Sequence, residues 1–164
     1  MNAYPAPGFE LKIRDPSAIV TACSGLPRPL VFTNGCFDIL HRGHVTYLAQ
    51  ARGLGASLLV GVNTDTSVRR QNKGADRPIN RLEDRVAVLA ALESVTLVTW
   101  FDEETPLDLI LRCRPDILVK GGDWAPGSIV GAAEVCGWGG TVHSVPFLHE
   151  RSTTALVRRI RAHS

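Results

Sequence analysis

The sequence predicts an α/β fold: a Rossmann-like, doubly wound, five-stranded parallel sheet in a single domain. Three observations predict it. Strand-length apolar runs alternate with helical patterns along the chain, the order that packs helices on both faces of a parallel sheet. Leu58-Leu59-Val60-Gly61-Val62 and Ile117-Leu118-Val119 are continuously apolar, as strands buried on both faces are. Polar clusters fall at the carboxyl ends of the strands, where open α/β sheets bind ligands. His41 and His44 follow the first strand, Asp65 the second, Lys120 and Asp123 the fourth, and Ser152 to Thr154 the fifth.

Taken in order, residues 1–27 read as an N-terminal arm and short helix, and residues 28–164 as the domain proper. Pro5, Pro7 and Gly8 make residues 1–15 irregular. Asp15-Pro16 is an N-cap followed by proline at the first helical position, which opens a helix to about Cys23. Leu30-Val31-Phe32 is the first strand and breaks at Asn34-Gly35. The helix after it places Val45, Leu48, Ala49 and Arg52 on one face, at i, i+3, i+4 and i+7, and stops at Gly53-Leu54-Gly55. The second strand spans residues 58–62, and residues 69–80 form a polar, basic loop. Asn80 with Glu83 fits an N-cap with a capping box, for a helix to about Leu92 that turns Val86, Leu89, Ala90 and Leu92 inward. Arg85 sits on that helix at a surface position. Val95 to Thr99 is the third strand, and Thr105-Pro106 caps a helix ending near Arg114-Pro115. After the fourth strand, a helix near 127–137 stops at glycines, Thr141 to Val145 is the fifth strand, and Ser152-Thr153-Thr154 opens the last helix.

Composition excludes several classes. The chain has 164 residues, enough for one domain with a proper core. A net charge of +2 is too small to make nucleic acid the main partner. No apolar run reaches the roughly 18 residues of a membrane span, and Met1 to Pro7 lacks the basic start and apolar core of a secretory signal. Cys23, Cys36, Cys113 and Cys136 show no C-x-x-C spacing, so reduced thiols and a cytoplasmic location are expected.

The chemistry concentrates between residues 30 and 48. Strand, glycine loop and helix in succession leave free backbone N–H groups and a helix N-terminus facing an anion. His41 and His44 stand three apart at that end, so both face one way across the first turn. Gly43 between them admits close approach of a ligand to the backbone. Histidines so placed suit the charge that develops during phosphoryl or nucleotidyl transfer. Their spacing is not the i, i+4 of helical metal pairs. Asp38 is read as ordering the loop by accepting from N–H groups, and Cys36 as a small structural residue.

Further along, Lys73-Gly74 and Arg77-Pro78 lie in the basic loop, from which Lys73 can reach a β- or γ-phosphate. In Lys120-Gly121-Gly122-Asp123 two glycines after a buried strand imply close backbone approach, flanked by a cation and an anion. Arg151-Ser152-Thr153-Thr154 adds hydroxyls and N–H donors at another helix start, suited both to capping and to phosphate. His143 and His149 read as structural. Trp100, Trp124 and Trp138 read as core or rim, with Trp124 beside Asp123 at the edge of a nucleotide pocket. No serine or cysteine pairs with a base in a nucleophile constellation, so direct in-line displacement fits the site.

Thr33-Asn34-Gly35-Cys36-Phe37-Asp38-Ile39-Leu40-His41-Arg42-Gly43-His44 carries the H-x-G-H signature after a first strand. It resembles the cytidylyltransferase-like superfamily of nucleotidyltransferases. Together with Val62 to Val68, Lys73-Gly74, Arg77 to Asn80, Val119 to Trp124 and Ser152 to Thr154, it is similar to the branch that forms ADP-heptose for bacterial lipopolysaccharide and surface glycans. The resemblance covers about residues 28–162. It implies transfer of AMP from ATP, with Mg²⁺, to D-glycero-β-D-manno-heptose 1-phosphate, releasing pyrophosphate. It implies catalytic roles for His41, His44 and Lys73. It puts Thr33, Asn34, Gly35, Cys36, Phe37, Gly43, Lys120, Gly122, Asp123, Ser152, Thr153 and Thr154 on the nucleotide. Asp38, Asn63, Asp65, Arg77 and Arg85 fall on the sugar phosphate, and no residue is assigned to a protein-held metal. A homo-oligomer, dimer or tetramer, is implied too. The branch often fuses this domain to a sugar kinase; no kinase-sized segment is present, so a separate heptose kinase is expected. Trp124 stands where the branch carries tyrosine, and His149-Glu150-Arg151 where it tends to Gly-Cys. The alternatives are a cytidylyltransferase acting on a polyol phosphate such as glycerol 3-phosphate, and a nucleotide-binding module without turnover.

Overall fold

The computed structural model describes residues 4–71, 76–149 and 153–162. Five parallel strands form one sheet in the order β3-β2-β1-β4-β5: β1 Leu30–Gly35, β2 Ser57–Asn63, β3 Leu97–Phe101, β4 Ile117–Gly121 and β5 Thr141–Val145. The helices are α1 Ile19–Ser24, α2 Arg42–Arg52, α3 Asp65–Arg70, α4 Leu82–Ala90, α5 Leu107–Cys113, α6 Ala132–Gly137 and α7 Thr153–Arg161. The chain winds outward from β1 to β3, then returns past β1 to lay down β4 and β5. The strand order therefore reverses between β1 and β4, and the crevice beyond their carboxyl ends is the expected ligand site.

Alternation along the strands builds two cores. Leu30, Phe32, Leu59 and Leu118 pack with Ile19 and Cys23 of α1, Leu109 and Ile110 of α5, and Val135 of α6. Val31, Val60 and Val119 pack on the other face with Tyr47, Leu48 and Ala51 of α2 and Val86, Leu89 and Ala90 of α4. By the same alternation Asn34 and Lys120 face the α5–α6 side, and Gly35 and Gly121 the α2 side. All seven residues of β2 are buried, as its continuous apolar run requires.

Several local expectations are corrected. The face of α2 is rotated: Tyr47, Leu48 and Ala51 are buried, whereas Val45 is 42% exposed and Ala49 also points outward. The Tyr47 hydroxyl fixes that phase by hydrogen-bonding Thr33 Oγ1 and the Val119 carbonyl, the latter at 3.2 Å. β3 begins two residues later than expected, because Val95 enters the core ahead of the strand and Thr96 N–H reaches Leu58 O at 2.9 Å. The helix expected near 127–137 is broken. A 3₁₀ turn at Pro126–Ser128 is followed by extended Ile129 and by Gly131 at φ 89°. A Cβ at Gly131 would lie 2.7 Å from Ile110 Cδ1, so the close approach to α5 demands glycine there. α3 was not expected; Thr64 caps it by accepting from Ser67 N–H at 3.1 Å. The N-cap of α4 is Arg81, not Asn80. The arm expected to be irregular carries local structure. Gly8–Lys12 forms a 3₁₀ turn, and Ile13 bridges Val98 at the open edge of β3. Asp15 caps the following turn as expected, accepting from Ser17 N–H at 2.9 Å.

Candidate active site

Beyond β1 the chain turns sharply. Phe37 takes a left-handed conformation (φ 46°), a costly backbone state for an aromatic residue that the surrounding packing holds in place. Its ring covers Gly35, where a Cβ would come within 3.0 Å of Phe37 Cε2. The ring also meets His44 edge-on at 5.4 Å. His41 is the N-cap of α2, and the His41 and His44 rings stack with centroids 3.9 Å apart and 19° between planes. Gly43 is closely packed: a Cβ there would meet the His41 ring at 3.1 Å and the His149 carbonyl at 3.3 Å, so either neighbour would have to give by a few tenths of an ångström. The expectation that both imidazoles face one way at this helix start therefore holds.

Burial, and secondly the neighbouring His41, push the His44 pKa from 6.5 down to about 4. His44 is thus neutral at physiological pH. Its Nδ1 is buried with no hydrogen-bond partner among the described residues. An orphaned lone pair is tolerated better than an orphaned N–H, so the proton belongs on Nε2. Because the folded value lies below the unfolded one, the unfolded chain takes up this proton first as pH falls. The contribution of His44 to stability is then full above pH 6.5 and is lost as pH falls towards about 4. A polyphosphate beside the ring favours the charged form and opposes the shift. Nucleotide binding at pH 5.5 should therefore take up more protons in the wild type than in His44→Ala. Calorimetric titration in buffers of different ionisation enthalpy checks this, and equal uptake would refute it.

The residues expected on the sugar phosphate are engaged with one another. The fully buried Asp38 carboxylate accepts from Ile79 N–H and Asn80 N–H, each at 2.9 Å, and pairs with Arg77 Nε at 2.5 Å. Its expected role of ordering the loop through N–H groups is what the structure shows. Asn80 donates its side-chain amide back to the Asp38 carbonyl at 2.6 Å, which is why it does not cap α4. Arg85 is not at the surface: it is 2% exposed and is the largest fully buried side chain among the described residues. It donates to Cys36 O at 2.6 Å and Asn80 O at 3.1 Å, and pairs with Asp65 at 2.6 Å. Asn63 is buried and donates to Ser67 Oγ at 3.0 Å. Asp38 and Arg85 thereby tie the loop after β1, the start of α3 and the segment 77–80 into one unit. Lys73 and Gly74, on which the sequence places a phosphate contact, lie outside the described residues, as do Arg151 and Ser152.

On the α5–α6 side of the crevice, Lys120 Nζ lies 3.5 Å from Asn34 Oδ1. A cleft of about 150 Å³ opens there, lined by Asn34, Pro106, Lys120, Trp124 and Ser128 to Val130. Gly122 takes φ 116°, a value that requires glycine, and carries the turn to Asp123 and Trp124. Across the turn lies Phe147, whose ring would be 2.8 Å from a Cβ on Gly121 and meets Tyr47 edge-on at 5.7 Å. Thr33 is fully buried, with its hydroxyl on Tyr47. Thr153 is buried at the start of α7 and donates to Ile39 O at 3.3 Å, whereas Thr154 is exposed. The N-termini of α2 and α7 therefore converge on the loop after β1, two positive helix ends at one place. Phe147 was missed from the sequence; an aromatic between a strand end and a capping motif was its only signal. Pro106 and Ser128 were missed as cleft residues because their proximity to β4 is purely tertiary.

Comparison with known proteins agrees with this geometry. A family model described as cytidylyltransferase-like matches residues 32–159. The chain is 57% identical over 155 residues to the D-beta-D-heptose 1-phosphate adenylyltransferase of Bordetella bronchiseptica, covering 93% of this chain and 96% of that one. It is 56% identical over 132 residues to the bifunctional protein HldE of Hahella chejuensis, covering 80% of this chain but 28% of that longer protein. Among solved structures, the lipopolysaccharide core biosynthesis protein of Thermoplasma volcanium superposes with a TM-score of 0.60 at 29% identity, over 74% of this chain and 98% of that one. A pantoate-beta-alanine ligase from Francisella tularensis, 14% identical, shares the fold with a TM-score of 0.60 over 87% of this chain and 68% of its own. With its H-x-G-H at a helix start beyond the first strand of a reversed-order sheet, the chain belongs to the cytidylyltransferase-like family.

Proposed function

We propose that this chain transfers AMP from ATP to D-glycero-β-D-manno-heptose 1-phosphate, forming ADP-heptose and pyrophosphate. The observation that carries the reading is the 57% identity to a heptose 1-phosphate adenylyltransferase over nearly the whole of both chains. The site is chemically suited to it. An oxygen of the acceptor's phosphate attacks the α-phosphorus of ATP, and the bond from that phosphorus to the bridging oxygen of pyrophosphate breaks. No covalent enzyme intermediate is needed. The protein supplies position and positive potential.

In this reading the triphosphate lies over the loop after β1, against the N-termini of α2 and α7. His41 and His44 donate to oxygens whose charge grows in the transition state. Lys73 keeps the role suggested by the sequence, on the departing pyrophosphate. Asp38, Arg77, Asp65 and Arg85 hold the loops rather than the sugar. Mg²⁺ enters with ATP as its counter-ion; among the described residues no group of three or more His, Cys, Asp or Glu side chains is placed to hold a metal. A cytoplasmic location follows from the use of ATP, and a kinase acting on the anomeric hydroxyl must supply the acceptor. No helix among the described residues is long and apolar enough to cross a membrane.

Pyrophosphate release measured with ATP, CTP, GTP and UTP, each with heptose 1-phosphate and with glycerol 3-phosphate, tests the reading. A base edge met by backbone donors and acceptors of the site rejects a mismatched base strongly, because the site's own polar groups are left unpaired. The kcat/KM ratio of ATP over CTP should be on the order of 10² or more, if two bonds worth about 1–3 kcal/mol each are lost. Equal use of both nucleotides would sink the adenylyl assignment. A preference for CTP with glycerol 3-phosphate would replace it with a polyol-phosphate cytidylyltransferase.

A further inference from the structure

We infer that Trp124 is the stacking platform for the acceptor's sugar ring, and that it makes the enzyme select a cyclic sugar phosphate over an acyclic polyol phosphate. The inference rests on the adenylyltransferase reading and assigns the acceptor to the cleft on the α5–α6 side of the crevice, so Asn34 and Lys120, which the resemblance put on the nucleotide, meet the acceptor instead. The indole is pinned. Its Nε1–H donates to Gly121 O at 3.1 Å, and its backbone N–H donates to Ser144 Oγ at 3.0 Å. Ser144 Oγ in turn donates to Gly122 O at 2.7 Å, closing the turn on itself. With its only polar atom engaged, the ring offers the cleft an apolar π surface, yet it remains 49% exposed.

Around that surface stand Pro106, Ile129 and Val130 as an apolar wall, with Lys120 and Asn34 at the inner end. A pyranose phosphate matches each part. The C–H face of its ring lies on the indole, its hydroxyls meet the Asn34 amide, and its anion meets the Lys120 ammonium. A purine base also stacks on indole, but a neutral base has no use for the cation beside it. An acyclic polyol has no flat C–H face to offer. A pinned aromatic is also already ordered before binding, so the contact costs little side-chain entropy.

Steady-state kinetics of Trp124→Ala and Trp124→Phe, with acceptor and ATP varied separately, tests the inference. For Trp124→Ala, KM for heptose 1-phosphate should rise roughly tenfold, the equivalent of about 1.4 kcal/mol of lost stacking and burial. KM for ATP should stay within about twofold, a change under about 0.5 kcal/mol. Trp124→Phe should restore most of the acceptor affinity. Turnover of glycerol 3-phosphate, however slow, should be no worse in Trp124→Ala, so discrimination between ring and chain narrows. Addition of heptose 1-phosphate alone should change tryptophan fluorescence in the wild type and not in Trp124→Phe. A rise in KM for ATP would instead make Trp124 a base platform and overturn the inference. Unchanged KM for both substrates would make it plain surface. Either result leaves the adenylyltransferase reading standing if the wild type turns over heptose 1-phosphate. Absence of that turnover in the wild type is what defeats the reading itself.

Discussion

His44→Ala should lower kcat by about 10²–10³ while KM for ATP moves only a few-fold, because a preorganised donor to charge that grows in the transition state is lost. The structure explains why this one imidazole matters so much. It is stacked on His41, braced edge-on by Phe37 and neutral at physiological pH. Its hydrogen-bonding nitrogen is fixed before substrate arrives, so no reorganisation is required during the reaction. His44→Gln, which keeps a donor of similar reach, should recover part of the loss. His41→Ala should cost a comparable factor, because it removes the other imidazole of the stacked pair at the same helix start. Wild-type turnover in a folded His44→Ala protein would remove the histidines from the mechanism.

Arg85→Met should destabilise the fold by about 3 kcal/mol, the low end of the cost of breaking a buried ion pair. The low end is chosen because Asp65 keeps 28% of its side chain in water and can be rehydrated once its partner has gone. The Cys36 and Asn80 carbonyls would also lose the guanidinium that they accept from. Urea unfolding followed by circular dichroism measures the loss. At roughly 2–4 °C per kcal/mol for a chain of this size, melting should fall by about 6–12 °C. Activity should fall further than stability at temperatures where the variant is still folded, because the same guanidinium fixes the loop that leads to His41. Arg85→Lys keeps the charge but not the three-way fork, and should recover less than half. A loss below about 1 kcal/mol, the size of a surface pair, would show that Arg85 is not part of the framework.

The sheet was legible because β2 and the starts of β1 and β4 are continuous apolar runs and its loops carry turn residues at strand ends. The phosphate loop was legible because Gly35, Gly43, His41 and His44 fall within a few residues of one another. Arg85 was not legible. An arginine on a helix reads as solvent-facing until Asp65, Cys36 and Asn80, which the chain brings together only by folding, are known to surround it. The phase of α2 went wrong for a related reason: aliphatic Val45 and Ala49 suggest one face, while the long-range bond of Tyr47 to Val119 selects another. α3 was missed because six residues are too few to show a period, although Thr64-Asp65 carried the capping signal. Trp124 was legible as an aromatic residue at the pocket edge, but the side of the crevice it occupies is set by the Gly121-Gly122 turn.

The reversal of strand order has a consequence for how the protein is made. Val31 sits in the middle of the finished sheet, paired with Leu58 on one side and Ile117 on the other. On the ribosome β2 and β3 emerge soon after β1, and the three can pair at once. The other edge of β1 must wait for residue 117. Until then the nascent chain exposes an apolar, hydrogen-bond-hungry strand that is an invitation to intermolecular pairing. Slow translation between β3 and β4 should therefore cost soluble yield, and a trigger-factor-type chaperone covering β1 over that interval should restore it.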